Sequence, residues 1–197
     1  MILNRFVLSL FLLLGPVSCG AVPKIIILED PLTHEEHLQL GLLYEAQGEW
    51  DLALSEYKAA LEKGGPSPVI QGYLGNVYYS KKDYPAARKA YQKSLAVNPK
   101  SAPVLNNLAA LYVIQGERLA EAETLIRRAV KIDPSRRPYY LDTLASVYME
   151  RGEYDVAFSI YLEAEAIAPF NLPLLDTLRK NKKRALSRLE KDDPPAD

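Results

Sequence analysis

The residues best equipped for chemistry fall together in His34-Glu35-Glu36-His37, two imidazoles and two carboxylates within one helical turn. A helical zinc site needs its histidines four apart, so that both rings leave one face, and further ligands from elsewhere. Here the spacing is three, the chain has no other histidine, and its one cysteine is Cys19, near the amino terminus. Glu36 also has another role. It stands three residues after Thr33, the spacing of a capping box, in which the hydroxyl takes a free backbone N–H and the carboxylate reaches back. The sequence therefore predicts a solvated first turn and no metal. No glycine-rich phosphate loop or Gly-x-Ser-x-Gly turn occurs, and two histidines supply no nucleophile–base set beyond this turn. Glu121, Glu123, Asp142 and Glu163 read as surface charges on helices. The expectation is a chain without catalytic residues or cofactor, not an enzyme.

The elements that would position any binding group are set by a repeat, which governs every other assignment. Residues 68–101 carry Leu74, Gly75, Tyr78, Ala87, Tyr91 and Pro99 as landmarks. The series appears upstream as Leu40, Gly41, Tyr44, Ala53 and Tyr57. It recurs downstream as Leu108, Ala109, Tyr112, Ala122, Ile126 and Pro134, then as Leu144, Ala145, Tyr148, Ala157, Tyr161 and Pro169. Each copy reads as two helices. Gly41 and Gly75, like Ala109 and Ala145, suit the closest crossing of the pair; Ala53, Ala87, Ala122 and Ala157 serve it from the second helix. The tyrosines Tyr44, Tyr78, Tyr112 and Tyr148 bridge to the next unit, burying a ring while keeping a hydroxyl for a polar partner. Leu40, Leu43 and Tyr44 recur at helical spacing in the first helix, which Gly48 ends, and Trp50, Ala53, Leu54, Tyr57 and Leu61 form the inner stripe of the second. The prolines stop each second helix. The third copy holds one extra residue at Gly116-Glu117-Arg118 and another at Ser135-Arg136-Arg137, both in turns, where added length is cheap.

These residues resemble the tetratricopeptide repeat, a 34-residue helix–turn–helix with this Leu-Gly, Tyr, Ala, Tyr, Pro order. The resemblance covers residues 33–171 as four repeats, about 34–67, 68–101, 102–137 and 138–171. It implies an all-α, right-handed superhelix, with a capping helix over 172–190 completing it. Leu174, Leu175, Leu178, Ala185, Leu186 and Leu189 are expected to dock that helix. Arg179, Lys180, Lys182, Lys183, Arg184 and Arg188 would form its polar outer face, or a basic surface for anionic lipid. Residues 191–197, with two prolines, read as a disordered tail.

In such an array the first helices line a concave groove. The residues expected there are Leu38, Leu42 and Glu45; Gly72, Asn76 and Tyr79; Asn106, Asn107, Ala110 and Val113; and Tyr139, Asp142, Thr143, Ser146 and Met149. An extended peptide needs its backbone satisfied, and side-chain amides donate and accept at once. Asn76 and Asn107 are the leading contacts, with Tyr79 and Tyr139 as flat apolar ones. In relatives that hold chaperone tails, asparagines and cations clamp a terminal carboxylate. The resemblance places Asn76 and Asn107 at asparagine sites but Gly72, Tyr139 and Thr143 at cation sites, so a charged clamp is missing. An uncharged, aromatic or apolar segment is the expected ligand.

The amino terminus carries an address. Arg5 precedes an apolar run, Phe6 to Leu14, ended by Gly15-Pro16; this is the pattern of a secretory signal over residues 1–20, too short to span a membrane. Cys19 stands where a bacterial lipoprotein signal would place its lipidated cysteine, although Pro16 replaces the usual leucine. The alternative is ordinary cleavage near Gly20 or Ala21. Residues 21–32 form an arm in which Ile25-Ile26-Ile27-Leu28 would pack on the first repeat or pair with a partner. With 48% hydrophobic residues and a net charge of −1, the chain suits neither global disorder nor nucleic-acid binding. The expected role is a protein-binding scaffold of the bacterial cell envelope, a periplasm-facing lipoprotein if Cys19 is modified. A self-associating scaffold and an accessory subunit of an envelope peptidase or secretion or pilus machine are the alternatives.

Overall fold

Helix α1, His34–Gln47, starts at Thr33, whose side chain accepts from the Glu36 N–H while Glu36 reaches back to the Thr33 N–H at 2.8 Å. The computed structural model describes residues 30–168 and 172–192. The chain divides into Met1–Pro31 and Leu32–Asp197. Cys19, the signal, the isoleucine run, Pro169 and residues 193–197 lie outside the described residues. All regular elements of the described part are helical. They follow as α2 (Trp50–Gly64), α3 (Pro68–Ser80), α4 (Tyr84–Val97), α5 (Ala102–Gln115), α6 (Leu119–Ile132), a 3-10 turn (Pro134–Arg136), α7 (Arg137–Arg151), α8 (Tyr154–Ile167) and α9 (Leu172–Asp192).

The hairpins α1–α2, α3–α4, α5–α6 and α7–α8 are the four repeats, and each second helix packs on the next first helix, ending with α8 on α9. This is an all-α solenoid. Within a hairpin the notch on the first helix is filled by a ring from the second. A Cβ on Gly75 would lie 2.3 Å from the Tyr91 ring, and one on Gly41 would lie 2.5 Å from the Tyr57 ring. Both rings are fully enclosed. Repeat three replaces ring and notch by Ile126 and Ala109, both 0% exposed, so an aliphatic chain fills the smaller gap.

Gly48, Gly116 and Gly152 end α1, α5 and α7 in the left-handed region, the sharp stop their lack of a Cβ permits. The extra residue of repeat three is Arg118, itself left-handed at φ 52. Its guanidinium lies over the Tyr112 ring at 5.1 Å and pairs with Glu121 at 2.7 Å, contacts that offset the strain. The second extra residue is absorbed by the 3-10 turn, where Asp133 Oδ1 accepts from the Ser135 N–H.

The helix-spaced apolar residues of α1 are loosely covered, and one expectation about α9 is corrected. Leu43 is 49% exposed, and Leu40 and Tyr44 are only part-buried, because α1 is the first helix of its unit and is packed chiefly on α2. On α9, Leu174, Leu178 and Ala185 are buried, whereas Leu186 is exposed: it leaves the face that α8 covers.

Candidate functional site

The first helices α3, α5 and α7 share a concave wall, continued by α9. One hollow in it, of about 400 Å³, is lined by Tyr79 from α3, Ala110 and Val113 from α5, and Asp142, Thr143, Ser146 and Met149 from α7. Ile114, Glu150 and Tyr161 also line it, with Asn181 and Arg184 of α9. Seven residues expected in the groove from the sequence thus meet here. Gly72, Asn76 and Asn107 line an adjoining hollow of about 190 Å³ between α3 and α5. Asn106 is half-buried on α5, with its side-chain carbonyl enclosed and lacking a protein partner. Tyr139 is half-exposed in the first turn of α7.

The two leading asparagines are bonded to each other. Asn107 Nδ2 donates to Asn76 Oδ1 at 2.8 Å, and the Tyr91 hydroxyl donates to the same oxygen at 3.0 Å. Asn76 Oδ1 therefore fastens α3 to α4 and repeat two to repeat three. In register, the α5 counterpart of Asn76 is Ala110 and the α3 counterpart of Asn107 is Tyr73, so the pair is an inter-repeat contact of unlike positions. The same device recurs. Tyr57 donates to Glu45 Oε2 at 2.5 Å, and the Tyr161 hydroxyl lies 3.3 Å from Ser146 Oγ. Burial raises the Tyr91 and Tyr161 phenols, so both remain neutral donors through the physiological range. Burial likewise raises the Asp142 carboxyl, against a bond from Asn181 Nδ2 at 3.0 Å that lowers it.

The carboxylates expected at the surface divide. Glu163 remains exposed and meets Arg137 at 2.5 Å. Glu123 is drawn between repeats three and four, accepting from Tyr148 at 2.9 Å, from Arg127 at 2.9 Å and from Arg151 at 2.8 Å. The expected solvated first turn is also corrected. His37 is 3% exposed, with Nδ1 2.7 Å from Glu56, and His34 Nδ1 lies 2.7 Å from the Ala60 carbonyl. Both imidazoles tie α1 to α2, because Gly64 leaves room for the His34 ring to lie on the helix. No group of three or more His, Cys, Asp or Glu with metal-binding geometry occurs among the described residues.

Asn181 and Arg184 are groove residues that sequence patterning assigned to a capping helix. A signal for them existed. Pro99 and Pro103, Pro134 and Pro138, and Pro169 and Pro173 repeat one spacing, which puts α9 in register as the first helix of a fifth repeat. Its notch position is Arg179, where Ala109 stands in α5, so the face a partner helix would cover is charged. Arg179 and Lys182 bend back to Glu165 of α8, whose carboxyl they hold below its ordinary value.

Stacked helical hairpins with a first-helix groove define a solenoid of the protein-binding class. Residues 38–102 and 74–137 match the tetratricopeptide repeat family, and the chain belongs to that family. It is 31% identical over 109 residues to a U-box domain-containing protein 70 of Oryza sativa subsp. japonica, covering 54% of this chain and 13% of that protein. It is 33% identical over 109 residues to the Hsp70-Hsp90 organizing protein 1 of Glycine max, covering 54% and 18%. The chain thus spans less than a fifth of the length of these relatives. In fold it resembles the APC/C hetero-tetramer Cut9-Hcn1 with a TM-score of 0.69 at 22% identity, over 79% of this chain and 30% of that one.

Proposed function

We propose that this protein is a non-enzymatic scaffold of a bacterial cell envelope that holds a segment of another protein in its groove. It is exported by its amino-terminal segment and tethered by lipid on Cys19. The observation that carries the binding role is the hollow between α3, α5, α7 and α9. It offers flat and aliphatic surface (Tyr79, Val113, Met149) beside polar groups (Ser146, Asn181) already set by neighbouring bonds. Such a wall takes an extended segment at low ordering cost, since its own side chains are held in place. The envelope address rests on the short apolar run and the placement of the sole cysteine.

Crosslinking in the native envelope, followed by mass spectrometry, would name the partner. Its capture is expected to fall at least about tenfold with Tyr79→Ala plus Met149→Ala at unchanged helicity. Undiminished capture by that variant rejects groove binding. Palmitate labelling that survives Cys19→Ala rejects the tether without touching the groove.

A further inference from the structure

The cations of α9 are not equivalent. Arg179 and Lys182 are committed to Glu165. Lys180, Lys183, Arg184, Arg188 and Lys191 are exposed, and none has a carboxylate within ion-pair distance among the described residues. At spacings of three and four they form one stripe along the helix, beside the face that carries buried Leu174, Leu178 and Ala185. The stripe runs about 16 Å at the helical rise. One edge of it enters the groove. Arg184 lines the central hollow with Tyr79, Val113 and Met149, and Arg184 and Arg188 together line a polar hollow of about 430 Å³ beyond it. That second hollow is also lined by Met149, Gly152 and Tyr154, by Arg151, which is held by Glu123 and Glu153, and by Glu150, its one carboxylate; Glu150 and Asp142 are the carboxylates of the central hollow.

We propose that this end of the groove is a site for acidic side chains: Arg184 and Arg188 bind aspartates or glutamates of the partner segment, beside an apolar residue seated among Tyr79, Val113 and Met149. The inference presupposes groove binding and adds the chemistry of the ligand. Acidic side chains fit better than one terminal carboxylate because the cations are distributed. Alternate residues of an extended segment stand about 6.6 Å apart, close to the roughly 6 Å between helix residues four apart. A bilayer fits worse, because Arg184 sits on a concave wall that a planar surface does not follow.

Random-peptide display on the full chain tests the proposal, run in parallel on Arg184→Glu plus Arg188→Glu and on Arg179→Gln plus Lys182→Gln. Dichroism and melting of the reversed variant should match the parent, since both side chains are exposed. The parent is expected to enrich segments with two or more Asp or Glu beside an apolar residue. Charge reversal should weaken those segments at least about tenfold and select Lys or Arg instead, with the apolar preference kept. The Arg179/Lys182 variant should keep the acidic preference. Enrichment of acid-free segments by the parent, or acidic preference indifferent to reversal, overturns the site while leaving groove binding intact. Enrichment of nothing by any protein overturns both. Salt-sensitive sedimentation with vesicles of about 30% phosphatidylserine, lost on reversal, alongside acid-free peptides, assigns the stripe to a membrane and also overturns the proposal.

Discussion

Tyr91 joins stability and recognition in one side chain. Its ring fills the notch at Gly75, and its hydroxyl holds Asn76, which in turn takes Asn107 across the repeat boundary. Two effects compete on Gly75→Ala. Alanine gains up to about 1 kcal/mol of helix propensity, while the new methyl meets the Tyr91 ring at 2.3 Å. Overfilling a packed site costs about 1–3 kcal/mol. The ring is enclosed and pinned at its far end, so the clash prevails. A net loss of about 1 kcal/mol in thermal or urea unfolding is expected. An unchanged or raised midpoint would mean that the ring yields freely. Landmark spacing reveals notch and ring, but not that the hydroxyl and Asn107 both bond Asn76 Oδ1.

Between elements, the joint of repeats three and four gathers charge around one carboxylate. Glu123 on α6 is bonded by Tyr148 and Arg151 of α7 and by Arg127 of its own helix. Burial raises its carboxyl, but the bonds from Tyr148, Arg127 and Arg151 outweigh burial and leave it below its ordinary value. A carboxyl lowered by folding stabilises fully above the unfolded value of about 4.3 and loses that contribution as pH falls through the folded value. Glu123→Gln should therefore lower stability by about 1–2 kcal/mol at pH 7. The difference should shrink as pH falls below the unfolded value of about 4.3 and through the lower folded one. Melts across that range decide it, and a difference independent of pH would make the contact one of shape alone. The repeat period reveals this joint only in outline. An extra residue at Gly116-Glu117-Arg118 is visible by counting, whereas the left-handed Arg118 that absorbs it, and the carboxylate gathered across the joint, depend on how the hairpins settle. The same limit hid His34 and His37, whose spacing excludes a zinc helix but does not show them reaching α2.

For the described array as a whole, the buried residues separate into two clusters. One comprises Ala53, Leu54, Tyr57, Ala60, Ile70, Leu74, Val77 and Ala90; the other extends from Ala87 to Ala185 through α5 to α9, and Tyr78 packs against both. A solenoid has no contacts between distant repeats to enforce a single transition, so its cooperativity depends on such junctions. The amino-terminal cluster is the smaller and begins at α1, with Leu43 exposed. The other ends on α9, which lays Leu174, Leu178 and Ala185 against the array. Ile70 and Leu111 are both 0% exposed, one in each cluster, and truncation of such a residue to alanine costs about 2–5 kcal/mol. Ile70→Ala should release α1 to α3 first, splitting unfolding into two steps, with hydrogen exchange accelerated there and little changed in α6 to α9. Leu111→Ala should lower the midpoint of the larger cluster and bring the two steps together. If Ile70→Ala instead moves one sharp transition and exchange rises evenly from α1 to α9, Tyr78 and its neighbours couple the clusters fully, and the groove behaves as one rigid wall. Two-step melting would make the groove stiff only from α5 onward, the part where Val113, Met149 and Arg184 meet.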